Sequence, residues 1–162
     1  MAGPFTAYFE AEHDELGRLL RKSLAPRRDV DPTWFDAFRR RLLQRIAVEE
    51  RVLFPTLERR VGRSLLYRPG LTKDHRGLVA ICAPTPHREW VDGLWEQLEF
   101  HHAVEMSADG FCAQCDEYLV DQAAVVLARA ATMPSVIVAP FEEGRRVRER
   151  ITELLAQTVE LA

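Results

Sequence analysis

The sequence predicts an all-α fold: an up-down-up-down bundle of four main helices, followed by an extended C-terminal strap and one further helix. Three observations predict it. Apolar residues recur at spacings of three and four through segments long enough for helices, and proline- and glycine-bearing stretches separate those segments. A single strand-like piece, Val136-Ile137-Val138, has no second strand to pair with. Polar residues that interrupt the apolar stripes lie at matching distances from the turns.

The chain has 162 residues, 47% of them hydrophobic, which is enough for one well-buried core and too few for two. A single domain over residues 1–162 is expected, with the bundle at about 5–131 and the strap and last helix at about 132–162. Pro4 suits an early helical position, and Phe5, Phe9, His13, Leu16 and Leu20 then form one stripe that includes a histidine. Residues 25–32 form a connection, with Asp31 as N-cap and Pro32 as the first residue of a second helix running to about Arg60. Pro55 lies inside that helix and is expected to bend or interrupt it, because proline removes a hydrogen bond and collides with the preceding turn.

A loop is expected from Val61 to Gly70, and a third helix then buries Leu71, His75, Leu78 and Cys82 until Pro84 and Pro86 stop it. The fourth helix carries Trp90, Leu94, Leu98, His101 and Glu105 and ends at Asp109-Gly110. A helical stretch from Phe111 to about Ala131 holds Cys112, Cys115 and Asp116. The strap is bounded by Pro134 and Pro140, and the last helix begins near Glu142 with Val147, Ile151 and Leu154 inward. Trp34, Phe35, Phe38, Trp90 and Trp95 are expected in the core.

The second helix is the most informative. Its inward face runs Phe38, Leu42, Arg45, Glu49, Val52, so two charged residues point where apolar ones should be. An unpartnered buried ion costs several kcal/mol, so something must meet Glu49. In antiparallel neighbours, residues share a level when the turn lies midway between them. His13 and Arg45 have their midpoint at Asp29, Glu49 and His75 at Gly62, His75 and His101 at Arg88, each at or near a turn signal. The bundle would therefore gather His13, Arg45, Glu49, His75, His101 and Glu105 at one height. Imidazoles and carboxylates converging in a bundle interior suit a metal ion, and His101 with Glu105 presents two ligands from one helix face.

His13, the run Arg45-Ile46-Ala47-Val48-Glu49-Glu50-Arg51-Val52-Leu53-Phe54-Pro55, the pair Asp74-His75 and the run His101-His102-Ala103-Val104-Glu105 together resemble the hemerythrin-like, or HHE cation-binding, domain. The resemblance covers roughly residues 5 to 120. It implies a four-helix bundle whose core holds a non-haem di-iron centre for oxygen binding, iron handling or sensing. By position it implies His13, Glu49, His75, His101 and Glu105 as ligands, with His102 the alternative to His101.

The chain also departs from that family. Where the family has a histidine four residues before the second-helix glutamate, this chain has Arg45, which stays protonated and offers no lone pair. The fourth-helix motif is eroded, and Asp116 aligns only across a short insertion. A guanidinium beside two carboxylates can stand in electrostatically for one metal ion. Two readings follow: His75, His101, Glu49 and Glu105 hold one divalent ion with a position open for dioxygen or another small gas ligand, or Arg45 neutralises both carboxylates and leaves a metal-free regulatory or interaction module. A full di-iron centre ranks behind both.

Cys112-Ala113-Gln114-Cys115 could form a redox pair, or bind zinc with help from Cys82 and His87; buried helical thiols explain the spacing equally well. The odd total of three cysteines argues against a disulfide framework. A net charge of -3 with both signs mixed gives no pull toward nucleic acid or anionic membrane, and Arg39, Arg40, Arg41 and the basic stretch from Arg145 to Arg150 read as solvated faces. No apolar run approaches the roughly 20 residues of a membrane span, and the N-terminus lacks a signal-peptide layout, so a cytoplasmic protein is expected. With no nucleophile beside a base and no phosphate loop, catalysis is not expected. The expected role is cation binding, with iron ahead of zinc, in oxygen or redox sensing or in iron handling.

Overall fold

The N-terminus of the first helix is built by a residue more than a hundred positions away. In the computed structural model, which describes residues 1–27 and 29–159, α1 spans Pro4–Ser23. Its first turn has no cap of its own. Asp116 supplies one, accepting from the backbone N–H of Phe5 at 2.7 Å and of Thr6 at 3.1 Å, where the positive end of the helix dipole favours a carboxylate. A Cβ on Gly3 would lie 2.1 Å from the Asp116 Cγ, so glycine is what admits the carboxylate. Asp116→Ala is expected to cost about 1–2 kcal/mol, the usual loss for an N-cap oxygen, measurable by urea unfolding.

The second helix begins as expected. In α2, Pro32–Val48, the Asp31 carboxylate accepts from Thr33 N–H at 2.9 Å and Trp34 N–H at 3.2 Å. Pro55 does not end the helix; a π-helical turn, Glu49–Leu53, carries it into α3, Phe54–Val61. The Phe54 N–H donates to the Glu49 carbonyl, so the ladder widens by one residue just before the proline that cannot donate. Gly62, at φ 71°, closes α3 in the left-handed conformation.

α4 spans Arg68–Ile81, beginning earlier than the expected loop allows. Pro69 and Gly70 lie in its first turn, where the missing proline N–H has no intrahelical partner to lose. α5 spans Arg88–Glu105. The stretch expected as one helix is two, α6 (Phe111–Tyr118) and α7 (Ala123–Ala131), joined by a 3₁₀ turn at Val120–Gln122. The apolar period survives the break, with Cys115, Leu119, Ala123, Val126 and Ala130 all buried in one cluster. Residues 134–140 form neither helix nor strand, and α8 spans Arg145–Val159. In α8 Ile151 is fully buried, whereas the side chain of Val147 lies outside the described residues. Arg28, in the first connection, lies outside them too. No helix among the described residues is long and apolar enough to cross a membrane.

α1 packs along α2 and touches α6 and α7; α4 packs on α5, and α8 covers both. The core divides into two apolar clusters. One holds Phe9, Val52, Leu71 and Phe111, the other Leu16, Leu42, Leu78 and Leu98. Along α1 the chain passes from the first cluster to the second, along α2 back again and along α4 to the second once more; the buried apolar residues of α5 all belong to the second, and Met106 just past its end packs against the first. On α2, α4 and α5, buried polar residues stand at the crossing.

Two expectations about single residues fail. Trp34 is 37% exposed, with the Lys22 ammonium 4.0 Å from its ring centroid; the face that α2 turns inward there is occupied by Phe35 and Phe38. Arg39 is not a solvated residue but is 4% exposed, its guanidinium on Asp36, on the Ala139 carbonyl and over the Phe141 ring. Its partners on the strap satisfy its donors, which is the condition for burying an arginine.

Candidate metal centre

Arg45, Glu49, His75, His101 and Glu105 are each at most 3% exposed. Four-residue spacing supplies the pairs, Arg45 at the end of α2 with Glu49 at the start of the π-helical turn, and His101 with Glu105 on α5. Arg45 grips both carboxylates, its Nε donating to Glu49 Oε1 at 3.0 Å and its Nη2 to Glu105 Oε2 at 2.5 Å. The remaining oxygens face the imidazoles. Glu49 Oε2 lies 3.0 Å from His75 Nε2, Glu105 Oε1 lies 3.1 Å from His101 Nε2, and the two ring nitrogens are 3.2 Å apart.

Neither of those inward oxygens receives a properly directed hydrogen bond. Buried acceptors left so are rare, and either a proton on the facing imidazole or a cation between the four groups would satisfy them. One ligand atom from each of Glu49, His75, His101 and Glu105 lies within 4.8 Å of the others, near the ~3–4 Å separation of donors that share an ion at about 2.1 Å. The outward ring nitrogens complete the pattern. His75 Nδ1 meets Glu50 Oε1 at 2.8 Å and His101 Nδ1 meets Asp74 Oδ2 at 3.3 Å. A carboxylate on Nδ1 holds the proton there and leaves the Nε2 lone pair facing the cluster, the arrangement that orients metal-bound histidines. The residues therefore fit a cation, and two nitrogens with two oxygens suit a first-row divalent metal.

Charge explains the titration of these groups. With neutral imidazoles, Glu49, Glu105 and Arg45 leave one negative charge buried. Burial alone would raise the Glu105 carboxyl, but the charges of Arg45 and His101 hold it well below the usual carboxylate range. Glu49 moves up, through burial and the nearby charge of Glu105. His101 is raised to about 10: burial opposes this, and the charge of Glu105 with the hydrogen bond to Asp74 overrides it. His75 is raised for the same reason, by Glu49 against its own burial. A proton on the histidine pair thus balances the cluster when no cation does.

His13 lies outside this group. Its Nε2 is 2.7 Å from Glu99 Oε1, and its ring stacks on His102 at 3.9 Å and on Trp95 at 5.1 Å. The volume a histidine at position 45 would leave is taken by the guanidinium, whose Nη2 comes within 3.5 Å of His102 Nδ1. His102 is half-buried and faces Arg45, and burial, His13 and Arg45 push its imidazole down to about 4; it does not replace His101 in the cluster. Asp116 is the cap of α1.

The cysteines do not assemble a zinc clip. Cys112 and Cys115 belong to one apolar cluster and Cys82 to the other, all three as buried free thiols. His87 lies instead beside the Trp90 ring. Burial pushes the Cys112 and Cys115 thiols far up and the Cys82 thiol up to about 12, away from the thiolate that binds metal or attacks a disulfide. Glu50 and Asp74 are the site residues that sequence reasoning missed. Each adjoins a ligand in the chain, Glu50 next to Glu49 and Asp74 next to His75, yet each orients the histidine of a different helix. No protein-family model, curated protein or solved structure matches the chain.

Proposed function

We propose that the chain is a hemerythrin-like, up-down-up-down four-helix bundle that holds one divalent iron ion where its relatives in fold hold two. Its role is non-catalytic: sensing oxygen or redox state, or handling iron. The observation that carries this reading is the pair of inward carboxylate oxygens without hydrogen bonds, facing two imidazole nitrogens whose opposite sides are tied to carboxylates. The alternation of the apolar clusters along α1, α2 and α4 supports the bundle topology.

Glu49, His75, His101 and Glu105 would hold the ion, and Arg45 would supply the positive charge of the missing second one. A bound ferrous ion would offer an open coordination position and one-electron redox chemistry. The burial of the layer between apolar clusters would shield it from bulk water. Among soft and hard divalent metals, a mixed imidazole and carboxylate set also accepts zinc, so the metal must be identified directly.

Elemental analysis of protein purified without chelator tests the proposal. One iron per chain is expected, falling to none in His75→Ala and His101→Ala. A well-folded chain that takes up no cation from ferrous or zinc solutions would instead select the rival reading, a metal-free interaction module; the 2.5 Å contact of Arg45 with Glu105 favours that reading. The orienting acids give a finer check. Glu50→Gln and Asp74→Asn are each expected to weaken metal affinity about ten- to a hundredfold in competition with a chromophoric chelator. Unchanged affinity would mean that the imidazoles are aimed by packing alone.

A further inference from the structure

Between α2, α4 and the strap lies a cleft of about 380 Å³, toward the small end of the range usual for small-molecule sites. The strap is pinned on both sides of it. Gln44 donates to the Met133 and Pro134 carbonyls and accepts from Val136 N–H at 2.8 Å. Farther on, Arg39 donates to the Ala139 carbonyl at 2.9 Å, and Glu142 N–H donates to the Ala83 carbonyl at 2.9 Å. Ile137 stands between these pins, 101% exposed. Beneath the arch the walls are apolar, formed by Leu43, Ile46, Val79, Val136 and Val138.

The charges on the lining decide what could enter. Arg39, Glu50, Arg51 and Glu142 all reach it. Arg39 is held by Asp36, Glu50 by His75 and Glu142 by Arg150. Arg51 is exposed, and none of the ion pairs found among the described residues includes it. The cleft thus joins an apolar trough to one uncancelled guanidinium, a group suited to a carboxylate. Its two acids make a second negative charge on the ligand unfavourable.

We propose that this cleft binds a small amphipathic monocarboxylate, its apolar part on Leu43, Ile46 and Val79 beneath the strap and its carboxylate on Arg51. The binding does not require a cation in the polar centre. The test is calorimetric titration of the full chain with octanoate, beside octan-1-ol and octylamine, in the wild type and in Arg51→Gln and Val79→Glu. Both positions are exposed, so both variants should keep the wild-type melting temperature. Saturable binding of one octanoate per chain is expected, with the alcohol weaker and the amine silent. Arg51→Gln should weaken it about tenfold, equivalent to ~1.4 kcal/mol, and Val79→Glu should abolish it. Absence of saturable binding below about 1 mM octanoate, octylamine binding as well as octanoate, or undiminished affinity in either variant would overturn the proposal.

Discussion

Arg45→Met in the metal-free protein is expected to lose about 3–5 kcal/mol, because it strands two buried carboxylates that share one counter-ion. At roughly 2–4 °C per kcal/mol for a chain of this size, the melting temperature should fall by ~6–20 °C. Excess divalent metal should restore part of the loss, by about 2.7 kcal/mol at a hundredfold excess over the dissociation constant. Arg45→Lys should rescue little, since one ammonium cannot make the forked contact to Glu49 and Glu105. Arg45→His is the constructive counterpart, returning a lone pair to the position the guanidinium fills; under the mononuclear reading it should raise the metal content from one toward two per chain. A melting temperature unmoved by Arg45→Met would show that Arg45 is not what holds the two carboxylates in the core.

The second large effect is a pH dependence of the metal-free protein that bound metal cancels. His101 titrates at about 10 in the fold and near 6.5 in an unfolded chain. A group raised in this way stabilises the fold fully below its unfolded pKa, and that stability drains away as pH rises toward the folded value. The metal-free protein should therefore lose several kcal/mol between about pH 6.5 and about pH 10. Glu105 acts at the acid end: held low, it stabilises above the usual carboxylate pKa and ceases to as pH falls through its folded value. Metal must displace the His101 proton, so apparent metal affinity should rise with pH across the same window, and uptake at pH 7 should release about one proton. Melting curves from pH 6 to 10 should fall without metal and stay level with saturating metal. A metal-free protein whose stability is flat across that window would refute the assignment of the proton to His101.

Much of this centre can be read from the order of residues. Glu49, His75, His101 and Glu105 stand on apolar stripes at helical spacing, and the midpoints of the turns place them at one level because antiparallel helices rise at the same rate per residue. The same reasoning placed His13 with them, and there it failed. The midpoint rule gives height but not rotation about the helix axis, and His13 turns toward Trp95 and His102 instead. Asp116 shows the opposite failure: nothing local announces that a carboxylate on α6 will cap α1. Arg39 looked like surface because it stands in a run of three arginines, and only the returning strap covers it.

Residue order alone sets the helical class, the two ends of α2 and its extension, and the inward placing of Arg45 and Glu49. These are matters of period, capping and side-chain chemistry, all written in neighbouring residues. Tertiary structure alone decided that Arg45 holds both carboxylates, that Glu50 and Asp74 aim histidines on other helices, and that the strap roofs a cleft. Those facts depend on the rotation and approach of distant segments, which are set by the packing of side chains from several helices at once.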